Sequence, residues 1–258
     1  MKIYALVKQV PDTAAVIRLA GPAAVDPGQK FIANPYDEFA VEEALRFRDR
    51  LANGSEVVMV GMGPDAAKEA LRSGLAMGAD RALLVRTEGP APDAIRTAHA
   101  LAGAIAADGP AGIIFTGLHA IDTETMQVPF RVAFRLGVPV LGGIMKFEST
   151  GGGTATVHRD IEGGDQEIWE IPLPCVLAVA RGINTPRYPK LPDIMKAKKK
   201  EIPVVEAASL LTDAPAARTE ILKLDLPPDK PPARILEGDP AAAVAELVRL
   251  LRDEAKVL

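Results

Sequence analysis

The chain has 258 residues but a single cysteine, three histidines and only 4% aromatics. One cysteine, Cys175, excludes an intrachain disulfide and a cysteine metal cluster. Its apolar setting, PLPCVLAV, predicts a buried structural thiol. His99, His119 and His158 are too scattered for a local ligand motif such as two histidines at i and i+4, so no metal is assigned. Sparse aromatics, with Trp169 the lone tryptophan, argue against a base-stacking nucleic-acid surface. Positive charge is also short. The formal net charge is −4, which does not suit the broad phosphate neutralisation that nucleic-acid binding needs. The longest apolar run, around Ile171 to Ala180, is well below the roughly 20 residues that span a bilayer, and MKIYALVKQVPD is too short for the apolar core of a signal peptide. Neither nucleic acid nor membrane insertion is expected, and a cytoplasmic or matrix-like setting is. There is no GxxxxGK[ST], and Gly61 and Gly63 lack a third glycine at the dinucleotide spacing. No Ser-His-Asp or Cys-His arrangement is legible, so no catalytic residue is assigned.

What is present alternates. The apolar, β-branched runs KIYALVKQV, EVVMVGMG, ALLVRT and AGIIFTG read as parallel strands. Helical patterns lie between them, with Ala40, Ala44, Phe47 and Leu51 on one face of DEFAVEEALRFRDRL. Strand and helix in alternation imply βαβ crossovers and a doubly wound α/β fold with a mostly parallel sheet. After Gly137 the segments VPVLGGIMKFES, GTATVHRDI, DQEIWEI and LPCVLAVARG are short, β-rich and separated by glycine clusters, which predicts an antiparallel extension of that sheet. A nucleotide-binding domain is therefore expected over residues 1–183. A segment with distinct composition follows at 184–200, then a proline-rich arm at 201–258. Asp239 and Pro240 supply an N-cap and an N1 proline for a last helix with Val244, Leu247, Val248 and Leu251 on one face. That helix packs on a partner or folds back on its own domain.

Residues 184–200 carry six basic residues against Asp193, a local +5 that leaves the remainder at −9. Here a lysine run adjoins Tyr188, Leu191, Ile194 and Met195 in a proline-stiffened stretch. A stiff apolar anchor beside charge suits transient docking, since preorganisation lowers the entropic cost and charge speeds encounter. A solvated helix end is the bland reading of the same lysines.

Ligands of doubly wound sheets sit at the carboxyl ends of strands, which directs attention to the loops KQVPD, ANPYDE, GMGP and TGLHAIDTETMQV. In the last of these, Gly117 allows close backbone approach. Asp122 or Thr123 is placed to cap the following helix, leaving Thr125 and Gln127 toward a ligand. A nucleotide fits this set best. The carboxylates of Asp37, Glu42 and Glu43 read as helix-start and solvent-face charges.

NTPRYPKLPDIMKAKKKEI resembles the signature segment of the β subunit of electron transfer flavoprotein. NPYDEFAVEEAL, LAMGADRALLV and TGLHAID match other stretches of that family in order, so the resemblance covers essentially the whole chain. It implies a heterodimer whose α subunit holds a redox-active FAD, while the β subunit buttresses it and binds a second nucleotide, AMP or FAD. By position, the family's nucleotide contacts fall on Leu6, on Asn34, Pro35, Tyr36 and Asp37, on Met62, and on Gly117, Leu118, His119, Ala120, Ile121, Asp122, Thr123, Glu124, Thr125, Met126, Gln127 and Val128. Tyr36 is implied to approach the flavin. The partner-recognition loop falls on Arg187, Tyr188, Leu191, Pro192, Ile194, Met195 and Lys196. Leu191 matches the leucine that enters an apolar pocket of an acyl-CoA dehydrogenase. Electrons would then pass to a quinone oxidoreductase or another acceptor.

The helix-start loop departs from the respiratory pattern D-x-D-x-N-x-T, which holds AMP. Thr125, Gln127 and Val128 match the D-G-D-T-A-Q-V of electron-bifurcating members, which hold a second FAD and oxidise NADH. Thr123, Glu124 and Met126 depart from that pattern too, so both occupants stay open. A reading of another class is a stand-alone adenine-nucleotide-binding or hydrolysing protein on the same framework, needing no α subunit. A pure interaction module would bind no nucleotide.

Overall fold

The opening run forms β1 (Lys2–Leu6) in a computed structural model that describes residues 1–89, 92–228 and 232–258. A short antiparallel pair follows, β2 (Gln9–Pro11) with β3 (Phe31–Ala33). Next come α1 (Pro35–Leu51), β4 (Glu56–Gly63), α2 (Lys68–Met77), β5 (Arg81–Arg86), α3 (Ala94–Asp108) and β6 (Ala111–Gly117). The alternation continues through α4 (Val128–Leu136) into β7 (Val140–Glu148), β8 (Thr154–Asp160), β9 (Gln166–Pro172) and β10 (Val176–Val179). The rest comprises α5 (Leu191–Lys199), β11 (Val204–Glu206), α6 (Ala207–Leu210) and α7 (Pro240–Asp253). Met1–Leu224 form one compact unit and Asp225–Leu258 a second.

Among the described residues nine strands make the central sheet, in the order β11-β5-β4-β1-β6-β10-β7-β8-β9. All pairs from β11 to β7 are parallel, as the βαβ pattern predicts, and β7, β8 and β9 pair antiparallel. The exception to the expected hairpin series is LPCVLAVARG. Its strand β10 runs parallel between β6 and β7. VLAV is buried along its whole length, and a strand covered on both faces carries an unbroken apolar run, as central parallel strands do.

Along β1 the side chains alternate between two cores. Ile3 and Ala5 join Ala40, Ala44, Phe47, Leu71 and Leu75 on the α1/α2 face. Tyr4 and Leu6 join Leu101, Ile105, Val132 and Ala133 on the α3/α4 face. Period-two alternation of a strand and helices on both faces thus produce one sheet between two apolar layers. Each fully buried aliphatic or aromatic side chain contributes roughly 1.5–3 kcal/mol. Cys175 is fully buried in the first layer, and burial pushes its thiol up to about 12.

In the second unit, the Asp239 side chain accepts from the amides of Ala241 and Ala242, with Pro240 in the first turn of α7. Val244, Leu247 and Val248 are exposed along that helix. Among the described residues, no helix is long and apolar enough to cross a membrane.

Candidate functional site

β4, β1 and β6 lie side by side and parallel, so their carboxyl ends share one edge. The chain builds outward from β1 through β4 to β5, then returns to place β6 on the other side of β1. This reversal is the switch point at which doubly wound sheets open a crevice for ligands.

Hydrogen bonds tie the loops at this edge together. Asn34 is fully buried at the N-cap position of α1, with no cap bond from its side chain. Its Nδ2 donates to the Asp37 carboxylate and to the His119 carbonyl, both at 3.0 Å, and its Oδ1 accepts from the Ile121 amide at 3.2 Å. Asp37 also accepts from the amides of Lys8 at 2.7 Å and Gly117 at 3.2 Å. Its carboxyl is pushed up to about 7 by burial, against the opposing pull of these donors. Asp37 is a helix-start charge as expected, but it does not face solvent, because loops from β1 and β6 close over it. Gly117 is needed at this crossing, since a Cβ there would meet the Tyr36 Cβ at 2.7 Å. The turn that follows GMGP joins through Gln9, whose Nε2 donates to the Ala66 carbonyl at 2.9 Å.

The loop after β6 corrects a second expectation. Neither Asp122 nor Thr123 caps α4, which begins at Val128 after Gln127 with no side-chain cap. Asp122 instead pairs with Lys8 Nζ at 2.7 and 2.8 Å, bridging the β1 and β6 loops. The Ala120 carbonyl accepts from the amides of Thr123 and Glu124. Gln127 Oε1 accepts from Arg131 Nη2 at 2.9 Å. Glu124 and Met126 adopt left-handed backbone, φ 48° and 53°, conformations that most side chains resist.

Leu6 is buried and Met62 partly buried against the α3/α4 core, so these two positions offer the edge chiefly their backbone. Leu118 is held by its amide to the Val179 carbonyl at 2.9 Å, and Pro35 opens α1. The Tyr36 ring lies 4.1 Å from that of His119, tilted by 45°. His119 Nδ1 is buried with no hydrogen-bond partner among the described residues. An unpaired buried nitrogen, an aromatic face, the exposed hydroxyls of Thr123 and Thr125 and an uncapped helix N-terminus favouring phosphate make a donor set that fits a nucleotide. Among the described residues no group of three His, Cys, Asp or Glu side chains could hold a metal.

The basic segment is built differently from the stiff loop its prolines predict. From Leu191 it is the helix α5, with Pro192 in the first turn, a position where its missing N–H costs nothing. Tyr188, Leu191 and Met195 are 92%, 72% and 52% exposed. Leu191 and Met195 stand at i and i+4 on one face, with Pro192 also exposed. Ile194 does not join them. It packs against the α1/α2 core, to which Ala197 on the same inner face belongs. Lys196 is exposed and lies 3.8 Å from Asp193. Arg187 turns inward to Glu42, at 2.8 Å from Nε, and Glu42 and Glu43 are each only 4% exposed, which corrects their reading as solvent-face charges.

A family model for the electron transfer flavoprotein domain matches residues 24–210. The electron transfer flavoprotein subunit beta of Bacillus subtilis is 37% identical over the full length of both chains. That of Syntrophomonas wolfei is 38% identical, covering 100% of this chain and 98% of its own. The mitochondrial subunit beta of Arabidopsis thaliana is 36% identical, again over both full lengths. The chain belongs to the electron transfer flavoprotein β-subunit family.

In this β subunit, motif reasoning missed three residues. Lys8 ties two of the loops. Arg72 of α2 directs Nη1 at the carbonyls of Ala197, Lys198 and Lys200, at 3.0, 2.9 and 3.3 Å, and so closes the end of α5. Asn184 donates to the Phe39 carbonyl and to Glu43, at 3.0 and 3.1 Å. A lysine in a strand-end loop was the one visible signal. The partners of the other two lie far along the chain, and no local pattern marks them.

Proposed function

We propose that this β subunit pairs with an electron transfer flavoprotein α subunit and serves as the nucleotide-holding, partner-docking half of an electron shuttle. The observation that carries the reading is the hydrogen-bonded convergence of the strand-end loops on Asn34 and Asp37, within a chain of this family. FAD, held mainly by the α subunit, supplies the chemistry of accepting and releasing electrons. Residues of this chain supply position and environment.

On this reading, Gly117 to Val128, with Asn34 to Asp37, Leu6 and Met62, hold a second nucleotide, AMP or FAD. Its phosphate would be held at the N-terminus of α4, where the helix dipole favours negative charge, while Lys8 ties the mouth together through Asp122. Tyr36 offers an aromatic face toward the α-subunit flavin. Tyr188, Leu191 and Met195, flanked by Pro192 and Lys196, form the surface that meets an acyl-CoA dehydrogenase, with delivery onward to a quinone oxidoreductase or another acceptor. Exposed apolar anchors with flanking charge suit an encounter that must form and dissolve quickly.

The test is to co-express the chain with its α subunit, purify the complex, denature it and quantify the released nucleotides. One FAD and one AMP per heterodimer support the shuttle. Two FAD and no AMP move the assignment to the electron-bifurcating variant that oxidises NADH. Absence of any nucleotide beyond the α-subunit FAD overturns the β-subunit site.

A further inference from the structure

The exposed surface of Tyr188, Leu191 and Met195 lies on a segment with little backbone structure of its own before α5. No strand or helix covers residues 184–190, and Pro186 and Pro189 have no N–H to give. Side chains replace the missing ladder. The Glu42 carboxylate accepts from the Arg187 backbone amide at 3.1 Å, from its Nε at 2.8 Å and from Nη2 at 3.2 Å. Glu43 accepts from Asn184 Nδ2 at 3.1 Å, and the same nitrogen donates to the Phe39 carbonyl. Arg187 also reaches Asp49 at 3.4 Å. Both glutamates are 4% exposed. Buried carboxylates are tolerated only when paired and hydrogen-bonded, and here the 184–187 segment supplies donors to both, alongside Arg46 and Arg50 of α1 itself. Downstream, Arg72 closes the far end of α5, and Lys200 Nζ donates to the carbonyls of Ala79 and Asp80 at 3.0 and 2.9 Å. The exposed surface is clamped on both sides.

We infer that Glu42 and Glu43 with Arg187 and Asn184 form a polar latch that presents the docking surface, and that Arg187 is a positioning residue rather than a partner contact. The latch rests on the docking function proposed above. Its arrangement follows from charge placement. Arg187 forms two side-chain bonds to one carboxylate, a geometry that fixes orientation as well as distance. Leu191 lies four residues on, with only Tyr188, the φ-restricted Pro189 and Lys190 between, so it inherits that orientation. An untethered segment would have to be ordered at each encounter, which weakens docking without touching the nucleotide site.

The experiment uses the complete α/β complex with an acyl-CoA dehydrogenase as electron donor, and compares Arg187→Gln, Arg187→Lys, Glu42→Gln and Leu191→Ala. Loss of a charge-assisted hydrogen bond is expected to raise the KM for the dehydrogenase about tenfold in Arg187→Gln, more than kcat falls. Flavin content per complex is expected to match wild type, and Arg187→Lys to recover part of the loss. Amide hydrogen exchange over residues 191–199 is expected to quicken by about the same factor in Arg187→Gln and Glu42→Gln. If Leu191→Ala raises KM while both Arg187 variants leave KM and exchange unchanged, the latch is overturned and docking stands. If Leu191→Ala leaves KM unchanged, docking falls and takes the role of the latch with it.

Discussion

Asp37 occupies the first turn of α1, where a carboxylate ordinarily profits from the helix dipole in water. Here it is buried instead, and its pKa is raised from 3.8 to about 7. The sign follows from proton binding. Between about pH 4 and pH 7 the folded chain holds this proton more tightly than the unfolded chain does, so the contribution of Asp37 to stability declines as pH rises through that window. The decline amounts to about 4 kcal/mol at most. Urea unfolding of wild type and Asp37→Asn at pH 5 and pH 8 isolates it, because asparagine does not titrate. Wild type is expected to lose stability relative to the variant between the two pH values, and a flat difference would mean the carboxylate stays ionised throughout. The motif names Asp37, but distance hid its burial, because the Gly117 amide that helps enclose it lies 80 positions along the chain. The same holds for Glu42, whose partner Arg187 is 145 positions away.

α5 shows how one helix satisfies two demands. Ile194 and Ala197 face the core while Leu191 and Met195 face outward, and Lys196, Lys198 and Lys199 sit in the last turn, where positive charge complements the carbonyl end of the dipole. The lysine run is thus partly a helix terminus, as the bland reading has it. Arg72 completes that terminus. Arg72→Ala is expected to cost about 1–2 kcal/mol, the range for losing a charged donor to helix-end carbonyls. Limited trypsin digestion should accordingly cut faster after Lys196, Lys198 and Lys199 than in wild type. An unchanged cleavage rate would show that core packing of Ile194 and Ala197 alone holds the helix. The two prolines and the charge hid this helix from periodicity. β10 was misplaced for a related reason, since glycine-rich turns nearby suggested hairpins although VLAV is apolar on both faces.

The two units of the chain differ in what they can do alone. Met1–Leu224 contain the central sheet and both apolar layers. Asp225–Leu258 hold α7, and a segment below about 40 residues rarely folds without a partner, disulfide or metal. An isolated 225–258 peptide is therefore expected to show little helix by circular dichroism, whereas residues 1–224 alone should unfold cooperatively in urea. Strong helicity in the peptide would mean that local propensity and the Asp239 cap suffice. The amino-acid sequence by itself determined the alternation of strands and helices, the doubly wound class, the cap of α7 and the family, because periodicity, turn chemistry and the NTPRYPKLPDIMKAKKKEI motif are local. Tertiary structure decided that Asp37, Glu42 and Glu43 point inward, that β10 lies between β6 and β7, and that Ile194 faces the core while Leu191 does not. The choice between inside and outside depends on which distant donor or apolar face a side chain meets, and only the folded chain brings those partners within reach.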